Sequence, residues 1–170
     1  MVPRKGKTAH AAALELLRRR ALSERELAAR LLRRGFSARE VEAELARLRK
    51  ACLVSDRELA RLLVRSRLAA GHGLWAVRAY LRQREVDPEA VEQALGEVEP
   101  EEEEAALARA LEKALRRYPE GEALSRRQKV VRYLLSRGFG LAAALRATEF
   151  LGGELDGDAL DEPGDPEDVS

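Results

Sequence analysis

The chain has 170 residues but no isoleucine and no asparagine, and only 11 valines and 2 threonines. So little β-branched material excludes a sheet as the main architecture. Cys52 is the single cysteine, which rules out an internal disulfide. His10 and His72 are the two histidines, far apart in the chain, so no Cys/His set has zinc-ligand spacing. No apolar run approaches the roughly 18 residues of a membrane span. Ala9 to Leu17, after a basic start, is broken by His10 and Glu15 and runs into Arg18-Arg19-Arg20, unlike a signal peptide. A cytoplasmic protein without a membrane partner is expected. There is no G-x-S-x-G elbow and no P-loop, and no acid, base and nucleophile cluster together. No enzyme, cofactor or metal is therefore expected.

What is present is helix-forming. Ala, Leu, Glu, Lys and Arg supply 111 of the 170 residues, well above the roughly 50% that already suggests long helices. The formal net charge of +1 conceals segregation. Residues 1–50 carry net +8, 51–95 net +1, 96–104 net −6, 105–150 net +6 and 151–170 net −8. The glutamates of 96–104 run into Ala105 to Leu115 and suit the first turn of a helix, where the dipole is positive. The last block is Gly, Pro, Asp and Glu with few apolar residues, which is the composition of a disordered acidic tail. Such a tail would either keep the protein soluble or compete for its basic face.

Helix punctuation is legible. Four S-x-x-E/Q capping boxes occur: Ser23 with Glu26, Ser37 with Glu40, Ser55 with Glu58, and Ser125 with Gln128. Asp87-Pro88 pairs an N-cap with proline at the first helical position. Gly35 and Gly138 suit left-handed helix ends, and Gly71-His72-Gly73 and Pro119 to Gly121 read as breaks, the first a flexible turn exposing His72. Apolar residues recur at helical spacing between these marks, among them Leu59, Leu62 and Leu63, and Leu107, Leu111 and Leu115. The pattern predicts helices near 8–20, 24–34, 38–50, 56–70, 74–84, 88–97, 101–117, 126–137 and 140–150. Cys52, beside Leu53 and Val54, reads as a small buried hydrophobe, and Trp75 and Tyr80 as core.

A repeat organises these helices. Leu31-Leu32-Arg33-Arg34-Gly35-Phe36, Leu81-Arg82-Gln83-Arg84-Glu85-Val86 and Leu134-Leu135-Ser136-Arg137-Gly138-Phe139 align without gaps. In that register Val41 matches Val91 and Ala144. The expected architecture is all-α: three tandem three-helix repeats in an elongated, curved array. The segments are a basic arm (1–8), repeats at 9–54, 55–100 and 101–151, and the acidic tail (152–170). Arg34, Arg84 and Arg137 share one position in the repeats. They could simply serve helix C-termini or form a ladder of cations on one face. A helix-turn-helix reading of 24–50 is poor, because the second helix would bring Glu40, Glu42 and Glu44 toward the groove.

Ser55-Asp56-Arg57-Glu58-Leu59-Ala60, then Val64-Arg65-Ser66-Arg67, Gly73, Leu81 and Val86, resemble the central repeat of the RecX family, bacterial modulators of the RecA recombinase. Ser23 to Phe36 and Arg127 to Phe139 are similar to its first and third repeats, so the resemblance spans roughly residues 11–150. Leu59 stands where the family often has phenylalanine, and Glu85 replaces a glycine, so the turn there is expected to differ. The resemblance implies a non-enzymatic protein that lodges in the helical groove of RecA–DNA filaments, limits their extension and damps ATPase and recombinase activity. It points to Arg65, Arg67, Arg78, Arg82 and Arg84, extended by Arg34 and Arg137, as partner-binding cations. A stand-alone, non-specific nucleic-acid-binding repeat protein is the alternative. A monomer is expected, with weak DNA contact beside the RecA filament as partner.

Overall fold

The computed structural model describes residues 8–119 and 123–152. The basic arm up to residue 7, residues 120–122 (which take in all but Pro119 of the expected Pro119 to Gly121 break) and the acidic segment after Gly152 lie outside the described residues. Among those described there are nine α-helices and no strand. They are α1 (Ala9–Leu17), α2 (Glu24–Arg33), α3 (Ala38–Lys50), α4 (Asp56–Ala69), α5 (Leu74–Gln83), α6 (Pro88–Gly96), α7 (Pro100–Arg117), α8 (Ala123–Ser136) and α9 (Leu141–Ala147). A short 3-10 turn, Glu149–Leu151, follows.

Side-chain caps set several starts. Ser23 and Ser37 accept from the amides of Glu26 and Glu40, whose carboxylates reach back to complete both boxes. Ser55 Oγ accepts from Glu58 N at 3.3 Å, and Asp87 Oδ2 from Ala90 N at 3.2 Å. Glu101, Glu102 and Glu103 occupy the first turn of α7, where the dipole favours them. The box expected at Ser125 is not a start: α8 begins by Ala123 and carries Ser125 inside its first turn. Ala123 and Leu124 are strong helix formers and extend the helix past the serine.

Helix ends show the repeat most directly. In each copy the amide after the left-handed residue bonds back five residues: Phe36 N to Leu31 O (3.3 Å), Val86 N to Leu81 O (3.2 Å), and Phe139 N to Leu134 O (3.3 Å). The left-handed residues are Gly35, Glu85 and Gly138, with φ of 91°, 51° and 85°. Glu85 therefore makes the same Schellman turn as the two glycines, contrary to expectation, although a Cβ there is strained. Leu31, Leu81 and Leu134 are all completely buried, and Val41, Val91 and Ala144 are buried too.

The described residues form two compact units. The first takes everything up to Leu62 together with Leu81–Ala94, and the second takes Leu63–Tyr80 and everything from Leu95 onward. In the first, α1, α2 and α3 close over Ala13, Leu22, Leu27, Leu31, Val41, Leu48 and Val54. Asp56 ties helix starts together, accepting from Glu24 N at 2.9 Å and from Asp87 N at 2.7 Å. Ser23, fully buried, donates to Arg84 O at 2.9 Å. Leu62 is 58% exposed, so it does not join the core its spacing suggested.

In the second unit α7, α8 and α9 pack on one another. The innermost residues of α7 are Ala106, Ala110 and Ala114, while Leu107, Leu111 and Leu115 are half-buried. The small side chains allow backbone to approach: a Cβ built on Gly71 would lie 3.3 Å from Ala110 N. Gly73 N donates to Arg137 O at 2.8 Å, and a Cβ on Gly138 would meet Ala76 N at 2.3 Å. The Gly71-His72-Gly73 segment is thus a packed junction rather than the flexible turn expected from composition.

Candidate functional site

The seven arginines singled out from the sequence fall in both units, and the structure gives them different surroundings. In the first unit Arg34 Nη1 lies 3.6 Å from Glu15 Oε2 and 3.5 Å from Ala12 O. Arg84, only 13% exposed, donates to both oxygens of Glu26 at 2.9 and 3.1 Å and to Ala21 O at 2.9 Å. Glu26 also receives Arg20 at 2.9 Å. Burial alone would raise the Glu26 pKa, but hydrogen bonds from Arg84 and Arg20 and the charge of Arg84 bring it down to about 2. Arg84 thus holds the end of α5 to the start of α2. Arg82 on α5 is exposed.

In the second unit Arg65 is exposed and Arg78 half-buried. Arg67 lays its guanidinium over the Tyr80 ring, 3.8 Å from the centroid, and its buried Nε has no hydrogen-bond partner among the described residues. Arg137 Nη1 stands 3.3 Å from His72 Nε2. Lys113 Nζ donates to Ala70 O at 2.7 Å. Burial first, and then Arg67, Arg137 and Lys113, hold the His72 imidazole below its ordinary pKa. A half-buried histidine surrounded by three cations marks strong positive potential. Of the predicted cations, Arg67 and Arg137 are thus brought together around one residue.

Sequence reasoning missed a neighbouring group. Lys129, Arg132, Tyr133 and Ser136 share one face of α8 and Arg137 follows at its C-terminal end, while Val130, Val131, Leu134 and Leu135 are buried. With Arg117 and Tyr118 at the end of α7 they line an open groove of about 400 Å³ that holds no carboxylate among the described residues. The recurrence of cations at i, i+3 and i+8 along α8 carried the signal, but charge totals over long blocks averaged it away. Arg137 lies 5.0 Å from the Tyr133 ring centre and Arg117 5.8 Å from that of Tyr118.

Two single-residue expectations are corrected. Cys52 is exposed because it sits in the left-handed position after α3, at φ 54°, where the chain turns its side chain outward. Trp75 is 40% exposed, on the first turn of α5, whereas Val77 and Leu81 of that helix are buried. A larger cleft in the first unit, of about 830 Å³, mixes Leu53, Leu59 and Leu62 with charges of both signs. Among the described residues no His, Cys, Asp and Glu cluster could hold a metal, and no helix is long and apolar enough to cross a membrane.

Family models of all three RecX three-helix domains match the chain in order, the first over residues 9–48, the second over 55–95 and the third over 101–147. The chain belongs to the RecX family. Solved RecX structures share its fold. The crystal structure of RecX from Lactobacillus salivarius superposes with a TM-score of 0.73 at 19% identity, covering 84% of this chain and 94% of that one. A second crystal structure, described as regulatory protein RecX, gives 0.70 at 25% identity, covering 83% and 70%. No curated protein sequence matches the chain. Within this RecX chain, Glu85 stands where the other two repeats have Gly35 and Gly138, and the hydrogen-bond pattern of the turn is intact.

Proposed function

We propose that this chain is a non-enzymatic regulator that binds RecA–DNA filaments in their helical groove and inhibits filament extension, ATPase and recombinase activity. The observation that carries the reading is the ordered match of all three RecX domains. The basic cluster around His72 supports it, because such a surface draws an acidic protein face or the DNA within a filament. Arg65, Arg67, Arg78, Arg82 and Arg137 make the contacts, with Arg34 extending the surface. Arg84 contributes by holding the turn at Arg84–Val86 to the start of α2 through Glu26. The protein acts in the cytoplasm as a monomer. The test is to add purified protein to RecA on single-stranded DNA and follow ATP hydrolysis. Inhibition at micromolar protein is expected, and none would contradict the proposal.

A stand-alone nucleic-acid-binding protein is the second reading, favoured by the basic, tyrosine-bearing groove between α7 and α8. It requires naked-DNA binding comparable in strength to filament binding at physiological salt.

A further inference from the structure

The groove of the second unit combines cations with two tyrosines, a pairing that attraction to charge alone does not require. Arg117, Lys129, Arg132 and Arg137 converge on it, and among the described residues no acidic side chain lines it. Among the described residues Lys129 and Arg132 make no hydrogen bond or ion pair, whereas Arg116, next to Arg117, is neutralised by Glu112. Unpaired cations crowded on one face repel each other, and an anion relieves that repulsion. Lys129 to Arg137 spans eight residues of helix, about 12 Å, so a bound polyanion with closely spaced charges would meet several cations at once. Tyr118 and Tyr133 sit among them. Aromatic rings interleaved with cations are what a single strand requires, because unpaired bases stack on rings while the backbone follows the charges. A duplex offers phosphates but keeps its bases stacked on each other.

We propose that the α7–α8 groove is a binding site for single-stranded nucleic acid, with Arg117, Lys129, Arg132 and Arg137 on its phosphates and Tyr118 and Tyr133 against its bases. The site continues toward His72 through Arg137. Its occupation therefore has a local reporter: burial first, and then the neighbouring cations, hold the His72 pKa down, and phosphates beside Arg137 offset the second of these, so the imidazole should titrate at higher pH when a strand binds without burying it further. The assignment concerns naked strand and does not depend on RecA.

The test uses the full chain and a fluorescently labelled oligothymidylate. Lys129→Ala with Arg132→Ala should weaken binding roughly tenfold at low salt. It should also reduce the slope of log affinity against log salt by about 1.4, or about 0.7 for each lost phosphate contact. Tyr133→Leu, which keeps an apolar side chain at this half-buried position, should weaken binding about fivefold or more. Arg39→Ala with Arg47→Ala, exposed on α3, should leave affinity unchanged. Circular dichroism establishes that each variant is folded. Wild-type affinity in the Lys129/Arg132 variant would overturn the proposal. So would duplex bound as tightly as single strand with no effect of Tyr133→Leu. Loss of RecA inhibition with oligonucleotide affinity intact would make the groove a protein contact instead. Oligonucleotide binding by a chain that leaves RecA uninhibited would contradict the regulator reading and still support this site.

Discussion

At the residue scale, one position of the repeat shows how the same turn acquires different energetic consequences. Gly35, Glu85 and Gly138 all adopt left-handed φ and close the same hydrogen-bonded turn. Glu85 alone carries a side chain there, which costs roughly 1–2 kcal/mol, and part of that is recovered because glycine is more flexible in the unfolded chain. Glu85→Gly should therefore stabilise the protein by about 0.5–1 kcal/mol, read as a rise in the urea midpoint; an unchanged or lower midpoint would show that the turn is relaxed. Gly35 has open space around it, whereas Gly138 is pressed against the Ala76 backbone. Gly35→Ala should cost only the strain, about 1–2 kcal/mol. Gly138→Ala adds an overpacking penalty of about 1–3 kcal/mol. Equal losses in the two variants would contradict the packing described at the 71–73 junction.

At the element scale, the first unit depends on Glu26 joining two arginines near the start of α2. Its carboxyl titrates in the folded chain at about 2, against an ordinary 4.5. The stabilisation it supplies is therefore complete above about pH 4.5 and drains away as pH falls through 2. Urea midpoints measured between those limits should drop with acid, and Glu26→Gln should flatten that part of the profile. A Glu26→Gln profile identical to wild type would remove the ion pair from the account. Such a contact could not be read from the sequence, since Glu26 and Arg84 are far apart in the chain and only the fold brings them together. The local elements could be read, because Ser23, Ser37 and Asp87 cap their helices through neighbours three residues on. Ser125 misled because Ala123 and Leu124 let α8 start earlier. On α7 the leucine spacing hid that alanines are innermost, a choice set by the backbone of Gly71 pressing on Ala110.

At the scale of the whole molecule, the net charge of +1 describes no particular surface. Within the second unit positive charge gathers where Arg67, Lys113 and Arg137 act on His72, and where α8 presents Lys129 and Arg132 beside Arg137. Tandem order was visible in the sequence because each copy repeats its Leu-to-Phe or Leu-to-Val turn. The groove was not, because its parts come from the end of α7 and one face of α8. The central claim is that the partner is the RecA filament rather than DNA alone. Its most direct test is RecA ATP hydrolysis on single-stranded DNA, with the protein added at a salt concentration where its binding to naked oligonucleotide has vanished. Inhibition should persist there; inhibition that disappears together with oligonucleotide binding would make DNA, not the filament, the partner.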